Sequence, residues 1–330
     1  MSTYRLSQVL APAGVAVVGA SRQENSVGAV LARNLFRSGF AGPIMPVNPK
    51  YESVEGVLAY PDVAHLPLTP DLAVILTPRP TVPGIIDELG RRGTKAAVVL
   101  SAGFKDDADP QAEGGLFRAM LDAAQPHLLR IVGPNSLGIM VPGSKLNASA
   151  AHLTPTAGRL AFVAQSAAVV SSVLDWASAR GVGFSHLISL GDMVDVDLGD
   201  LLDYLANDAG TRAILLYVET VTNARRFMSA ARAASRSKPV IVVKAGRHVE
   251  AARAVQSHTG TLVGIDAVYD AVFRRAGMLR VVGLEELFDA VEILALAHLP
   301  AGDRLAIIRS EEHTSELQSH HDLVCRLLLE

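Results

Sequence analysis

Short aliphatic runs alternating with helical patterns, from near the start of the chain to about residue 300, constrain the fold more than any other feature. A first series of runs falls at 14–20, 43–47, 72–76, 96–100 and 129–132, with helical periodicity at about 27–38, 81–92 and 111–125. Strands alternating with helices pair in parallel through right-handed crossovers, because a parallel pair cannot be closed by a tight hairpin. The runs are apolar at consecutive positions, the pattern of strands covered by helices on both faces. A second series follows at 160–163, 184–188, 213–218 and 240–243, with helices at 167–180, 198–207, 222–236 and 264–276. The expected architecture is α/β, with two doubly wound domains at 7–135 and 159–283 and a Pro-, Gly-, Ser- and Asn-rich linker at 136–158.

Residues 284–308 read as a connecting helix and then, at 304–308, the first strand of a third α/β domain. From Arg309 the string RSEEHTSELQSHHDLVCRLLLE matches, in frame, the translation of a common short-read sequencing adapter. Residues 309–330 are therefore expected to be non-native, and the third domain truncated. The only cysteine, Cys325, lies in that tail, which excludes disulfides and cysteine-ligated metal from the rest. Acidic and basic residues nearly balance, 33 against 30, with no basic block. That argues against nucleic acid or an anionic membrane as partner. No apolar stretch reaches the length of a membrane span, and the first residues lack a signal-peptide core, so a cytoplasmic protein is expected.

In open α/β sheets ligands bind at the carboxyl ends of the strands. Here the first strand ends at Gly19, and its loop to Gly28 is too long for G-x-G-x-x-G. The strand–loop–helix junction still directs amides and a positive helix end at an anion. The second strand ends Val47-Asn48-Pro49-Lys50, where an NAD site would place an acid for the ribose. Lys50 either meets a phosphate or is solvated. With the ends Thr77-Pro78 and Ser101-Ala102-Gly103, the edge suits an elongated, phosphate-bearing ligand other than NAD.

In the second domain, His258 stands in Gln256-Ser257-His258-Thr259-Gly260, ahead of a helical pattern. A neutral imidazole there can attack phosphorus, with amides at the next helix start holding the phosphate oxygens. It can also be an ordinary histidine in a Ser/Thr-rich turn. The loop Gly191-Asp192-Met193-Val194-Asp195-Val196-Asp197 has three acids but not the EF-hand spacing. It reads as a lead into a helix capped by Asp195 or Asp197, and no metal site is expected.

Several separated motifs together resemble the α-type half of the NDP-forming acyl-CoA synthetases, relatives of succinyl-CoA synthetase. They are VAVVGAS at 15–21, PVNPKY at 46–51, Gly133-Pro134-Asn135, SLGDMVDVD at 189–197, LLYVE at 215–219, KPVIVVKAG at 238–246 and SHTG at 257–260. The resemblance covers residues 7–308 and looks closest to the subgroup fused to a GNAT acetyltransferase. It implies a Rossmann-like CoA-binding domain followed by a flavodoxin-like ligase domain. The CoA site would be lined by Gly19, Ala20, Ser21, Val47, Asn48, Pro49, Lys50, Thr77, Pro78, Ser101, Ala102 and Gly103. His258 would be the phosphohistidine, with Glu219 accepting its other ring N–H to fix the tautomer. Gln165, Ser166, Ala167, Thr259 and Gly260 would bind the phosphate. Ala164 and Ala167 depart from the family's S-Q-S-G pattern, although an alanine at a helix start still donates its amide.

The implied reaction interconverts acyl-CoA, phosphate and NDP with free acid, CoA and NTP, for a small acid such as acetate. The resemblance also implies ATP/ADP and Mg2+ at an ATP-grasp domain that this chain lacks, supplied as a fusion or a β-type subunit, in an oligomer. The chain alone would then not complete the cycle. A second reading is an acyl-CoA-sensing module of a protein lysine acetyltransferase, which would have no need of His258. A third, an NAD(H)-binding protein, is disfavoured by Lys50 and the missing G-x-G-x-x-G.

Overall fold

The computed structural model describes residues 3–104, 110–246 and 266–296. His258, Thr259, Gly260, the strand expected at 304–308 and the tail from 309 lie outside these residues.

Strands β1 (Val15–Val18), β2 (Ile44–Val47), β3 (Ser53–Val54), β4 (Val57–Leu58), β5 (Leu72–Ile75), β6 (Ala96–Val99) and β7 (Arg130–Val132) belong to the first half. Five of them form an all-parallel sheet in the order β2-β1-β5-β6-β7, and β3 and β4 pair separately as a short antiparallel ribbon. Alternate residues of β1 enter different cores, as the two-residue period of a strand requires. Val15 and Val17 pack with Leu31 and Leu35 of helix α2 (Val27–Arg37), beside α1 (Leu6–Leu10). Ala16 and Val18 pack with Ile86 and Leu89 of α3 (Val82–Arg91) and Met120 of α4 (Pro110–Ala124). Helices therefore cover both faces, as the unbroken aliphatic runs anticipate.

The second sheet runs β14-β13-β12-β10-β11-β8-β9. It comprises β8 (Gly138–Val141), β9 (Leu146–Ser149), β10 (Ala157–Ala164), β11 (Phe184–Ser189), β12 (Ala213–Val218), β13 (Val240–Lys244) and β14 (Leu279–Val281). Helices α5 (Ala167–Arg180) and α9 (Leu284–Leu296) lie on one face, where Val170, Leu174, Leu287 and Val291 share a core with Phe162 and Leu215. On the other face α6 (Leu198–Asn207), α7 (Ala224–Ser237) and α8 (Asp266–Ala276) contribute Leu201, Phe227 and Phe273.

Two expectations are corrected. The segment 136–158 is no linker: β8 pairs antiparallel with β11 and with β9, making the second sheet mixed. Gly138 and Ser136 serve close pairing rather than flexibility. A Cβ on Gly138 would fall 2.3 Å from Ala148 O, and Ser136 Oγ donates to Ser189 O at 2.6 Å. Nor does α9 merely connect domains. Leu287, Val291 and Leu294 are buried, and Phe288 stacks on Trp176 of α5 with ring centroids 4.4 Å apart.

The halves share one apolar cluster, and Asn34 of α2 donates to Ser149 O and Ala151 O at 3.0 and 2.7 Å. Among the described residues no helix is long and apolar enough to cross a membrane.

Candidate functional site

The carboxyl edge of the first sheet is drawn together by its own loops. Gly19 has φ +97°, and a Cβ there would stand 3.1 Å from the Leu76 carbonyl carbon, so the loop after β1 passes directly against the end of β5. Gly28 faces the same loop: its Cβ would fall 2.4 Å from Gly19 O. Helix α2 therefore begins tight against the loop, with Ser26 as N-cap accepting from Ala29 N–H at 3.2 Å. Asn48 Nδ2 donates to Ala20 O at 2.7 Å, and Ser21 Oγ accepts from Gln23 N–H at 3.0 Å. Ser101 Oγ donates to Thr77 O at 2.5 Å.

The residues expected from sequence thus form one rim across the ends of β1, β2, β5 and β6. Ala20 and Val47 are buried and offer backbone only, whereas Pro49 and Lys50 are exposed. The rim's 12 expected positions include no carboxylate and one cation, and a helix start lies against it, a setting that favours an anionic group.

The second sheet builds a different edge. Gln165 follows β10 and is buried, and its Oε1 accepts the backbone N–H groups of Glu219 at 2.5 Å and Thr220 at 3.0 Å. Ser166 caps α5, accepting from Val169 N–H at 3.4 Å, and Ala167 is the helix's first residue. Glu219, 7% exposed, follows β12; burial of Tyr217, with the Glu219 charge adding to it, pushes the Tyr217 hydroxyl pKa up. Lys244 ends β13, also buried. The chain leaves this edge after Gly246 and is described again from Asp266. His258, Thr259 and Gly260 fall between those points, outside the described residues.

The two edges adjoin. Asn135 N–H donates to Ser101 O at 3.0 Å, and the preceding Pro134 O accepts from Asp192 N–H at 2.9 Å. A Cβ on Gly191 would lie 2.1 Å from Pro134 O, so only glycine lets the turns meet this closely. Leu190 N–H in turn donates to Ala164 O at 2.8 Å, next to Gln165. A short run of backbone contacts therefore leads from the first rim to the second.

Of the acids in 191–197, Asp197 caps α6 in a reciprocal capping box with Asp200. Asp195 does not cap. It accepts from Arg130 Nε at 2.8 Å and Ile131 N–H at 2.9 Å. Among the described residues no cluster of three or more His, Cys, Asp or Glu could hold a metal ion. Sequence reasoning passed over Lys244, although a lysine closing a buried aliphatic strand is an anomaly legible in KPVIVVKAG.

Residues 14–142 match the CoA binding domain family, and residues 157–294 the succinyl-CoA ligase like flavodoxin domain. The chain is 41% identical over 303 residues to acetate–CoA ligase [ADP-forming] I of Archaeoglobus fulgidus, covering 92% of this chain and 43% of that protein. It is 36% identical over 307 residues to the alpha subunit of acetate–CoA ligase [ADP-forming] I of Pyrococcus furiosus, covering 92% and 66%. The structure of the dinucleotide forming acetyl-coenzyme A synthetase 1 of Ca. Korarchaeum cryptofilum, with phosphate and ADP, superposes with a TM-score of 0.85 at 34% identity. That match covers 91% of this chain and 64% of the other.

Proposed function

Because the chain belongs to the NDP-forming acyl-CoA synthetases and spans their α-type part, we propose that it is the CoA- and phosphoryl-handling part of an ADP-forming acid–CoA ligase for a small carboxylic acid such as acetate. The observation that carries this is the meeting of the two carboxyl edges at Ser101, Pro134-Asn135 and Gly191. A thioester held on the first rim is delivered to the phosphate-binding features of the second. The boundaries follow the same division: a CoA-binding domain at 7–135 and a ligase domain from 159, with 136–158 supplying edge strands of the second sheet.

In the direction of nucleotide formation, a phosphate oxygen attacks the thioester carbon. The C–S bond breaks, and CoA leaves as the thiol, giving an acyl phosphate. The His258 imidazole then attacks phosphorus, the bond to the acyl oxygen breaks, and the carboxylate departs. ADP finally accepts the phosphoryl group at a nucleotide site beyond this chain, where Mg2+ would offset the phosphate charge. Amides at the start of α5 and the Ser166 hydroxyl hold the phosphoryl oxygens. Glu219 accepts the second imidazole N–H and stabilises the positive charge that develops on the ring.

The test is acyl-CoA formation from acid, CoA and ATP by this chain together with its nucleotide-binding part, with ADP and phosphate as products. His258→Asn is expected to abolish turnover and leave CoA binding intact. Turnover by that variant at the wild-type rate rejects the relay.

A further inference from the structure

Helix α7 leads into β13 and α8 into β14, and these strands pair in parallel, so the last turns of the two helices come together at the amino end of the sheet. Phe227 of α7 packs edge to face on Phe273 of α8, with ring centroids 6.2 Å apart. An open hollow of about 390 Å3 lies where the helices end. Arg232 and Arg236 of α7 line it together with Arg274 and Arg275 of α8, and Ser235 and Gly277 complete its wall. All four arginines are exposed. Among the described residues no carboxylate lines the hollow. The sequence holds no basic block, and the fold makes one from two separated helices.

Like charges gathered in one hollow repel, and Arg232 and Arg236 stand one helical turn apart on the same face. Among the described residues, Arg274 alone of the four has an ion pair, with Asp270 at 2.9 Å. The negative ends of α7 and α8 favour cations in their last turns, which accounts for Arg236, Arg274 and Arg275 one by one. It does not account for Arg232, nor for the hydroxyl beside them. Ser235 Oγ is buried and has no hydrogen-bond partner, a state that costs free energy until some group meets it.

We propose that this hollow is a second anion site, which takes a chain of phosphate groups. Guanidinium groups bind phosphate oxygens in pairs and stay charged at any working pH. Four of them, contributed by two helices, offer more donors than one phosphate can use, so the ligand is a polyphosphate: the tail of a nucleoside triphosphate or a free inorganic chain. The hollow is concave and falls within the roughly 300–1,000 Å3 of small-molecule sites, which favours such a ligand over the acidic face of a protein. It is separate from the chemistry proposed above. Gln165 and Glu219 follow the carboxyl ends of β10 and β12, whereas the hollow lies at the amino end of the same sheet. A polyphosphate bound there is an effector or a tether and not a reactant.

The experiment is isothermal titration of the chain with tripolyphosphate, ATP, orthophosphate and poly-glutamate, for wild type, Arg232→Gln, Arg275→Gln and Arg118→Gln. Tripolyphosphate is expected to bind wild type far more tightly than orthophosphate does. Loss of one charge-assisted contact weakens binding roughly tenfold, so Arg232→Gln and Arg275→Gln should each lower the affinity by about that factor. Arg118 lies on α4 of the first half, and Arg118→Gln should bind as wild type does. Circular dichroism shows which variants fold, and either of the two hollow variants suffices if the other does not. ATP binding with the same dependence on Arg232 and Arg275 makes a nucleotide tail the source, and tripolyphosphate binding without ATP makes it a free polyphosphate. Three results overturn the proposal: no binding of either phosphate chain, wild-type affinity in the folded hollow variants, or orthophosphate binding as tightly as tripolyphosphate. Binding of poly-glutamate but of neither phosphate chain also overturns it and gives the hollow to an acidic protein segment.

Discussion

Replacing Arg130 with methionine is expected to loosen the junction between the two halves by about 3 kcal/mol. Arg130 is the first residue of β7 and is 9% exposed. Its Nε donates to Asp195 at 2.8 Å, its Nη2 to Asp200 at 2.7 Å, and its Nη1 to Tyr4 O at 2.9 Å. Both carboxylates belong to the second half. Removing one partner of a buried ion pair costs roughly 3–5 kcal/mol, mostly because the other charge stays buried. Two features place this case at the lower end. Asp200 is fully buried but keeps Arg226, and Asp195 is 27% exposed and keeps the Ile131 N–H. For a chain of 330 residues the loss corresponds to a fall in Tm of roughly 4 °C. The assay is thermal and urea unfolding of wild type, Arg130→Met, Asp200→Asn and the double variant, closing a cycle that isolates the pair. Coupling below about 0.5 kcal/mol, the scatter expected of independent sites, refutes the argument that this guanidinium ties the halves together.

Three further outcomes follow. Glu219→Gln is expected to bind CoA normally but to lower phosphoryl uptake at least tenfold, measured by label incorporation; an unchanged rate removes Glu219 from the site. Gly28→Ala forces a Cβ to 2.4 Å from Gly19 O, so isothermal titration should find weaker CoA binding and unfolding a loss of about 1–3 kcal/mol. Retained affinity and stability would mean that the loop after β1 yields easily. Burial lowers the His186 pKa, opposed by Asp208 and reinforced by Lys238, so the folded protein binds this proton less readily than the unfolded chain. Stability should therefore fall as pH drops below about 6.5, through the interval down to the lowered folded value, and be unaffected by this group above it. His186→Gln should flatten Tm between pH 7.5 and 5.5, and an identical slope in that variant rejects the linkage.

Much of the fold was legible because its signals are local. Helices α5 and α6 fall where periodicity places them, at 167–180 and 198–207, with Ser166 and Asp197 as N-caps and Gly181 in the left-handed conformation closing α5. Aliphatic runs marked the parallel strands because burial on both faces leaves no polar alternation. Strands β8 and β9 were not legible: the Gly, Ser, Asn and Pro content of their segment imitates a linker, and what makes them strands is the pairing of β8 with β11, distant in sequence, and of β9 with β8. Helix α9 read as a connector because its packing on Trp176 and β13 is equally non-local. That the residues of the first rim stand at strand ends was legible, because the aliphatic runs mark where β1, β2, β5 and β6 stop. The Arg130–Asp195–Asp200 junction and the neighbourhood of Lys244 were not, because an ion pair and a buried ammonium depend on which elements the fold brings side by side.

The proposed function requires this chain to carry a phosphoryl group on histidine. The direct measurement is to incubate it with acetyl-CoA and labelled inorganic phosphate, then digest it and map the label. The expected result is acid-labile, base-stable label on the peptide containing His258, absent from His258→Asn and dependent on acetyl-CoA. Label on another residue, or none while CoA still binds, would contradict the relay and leave the chain a CoA-binding protein without this chemistry.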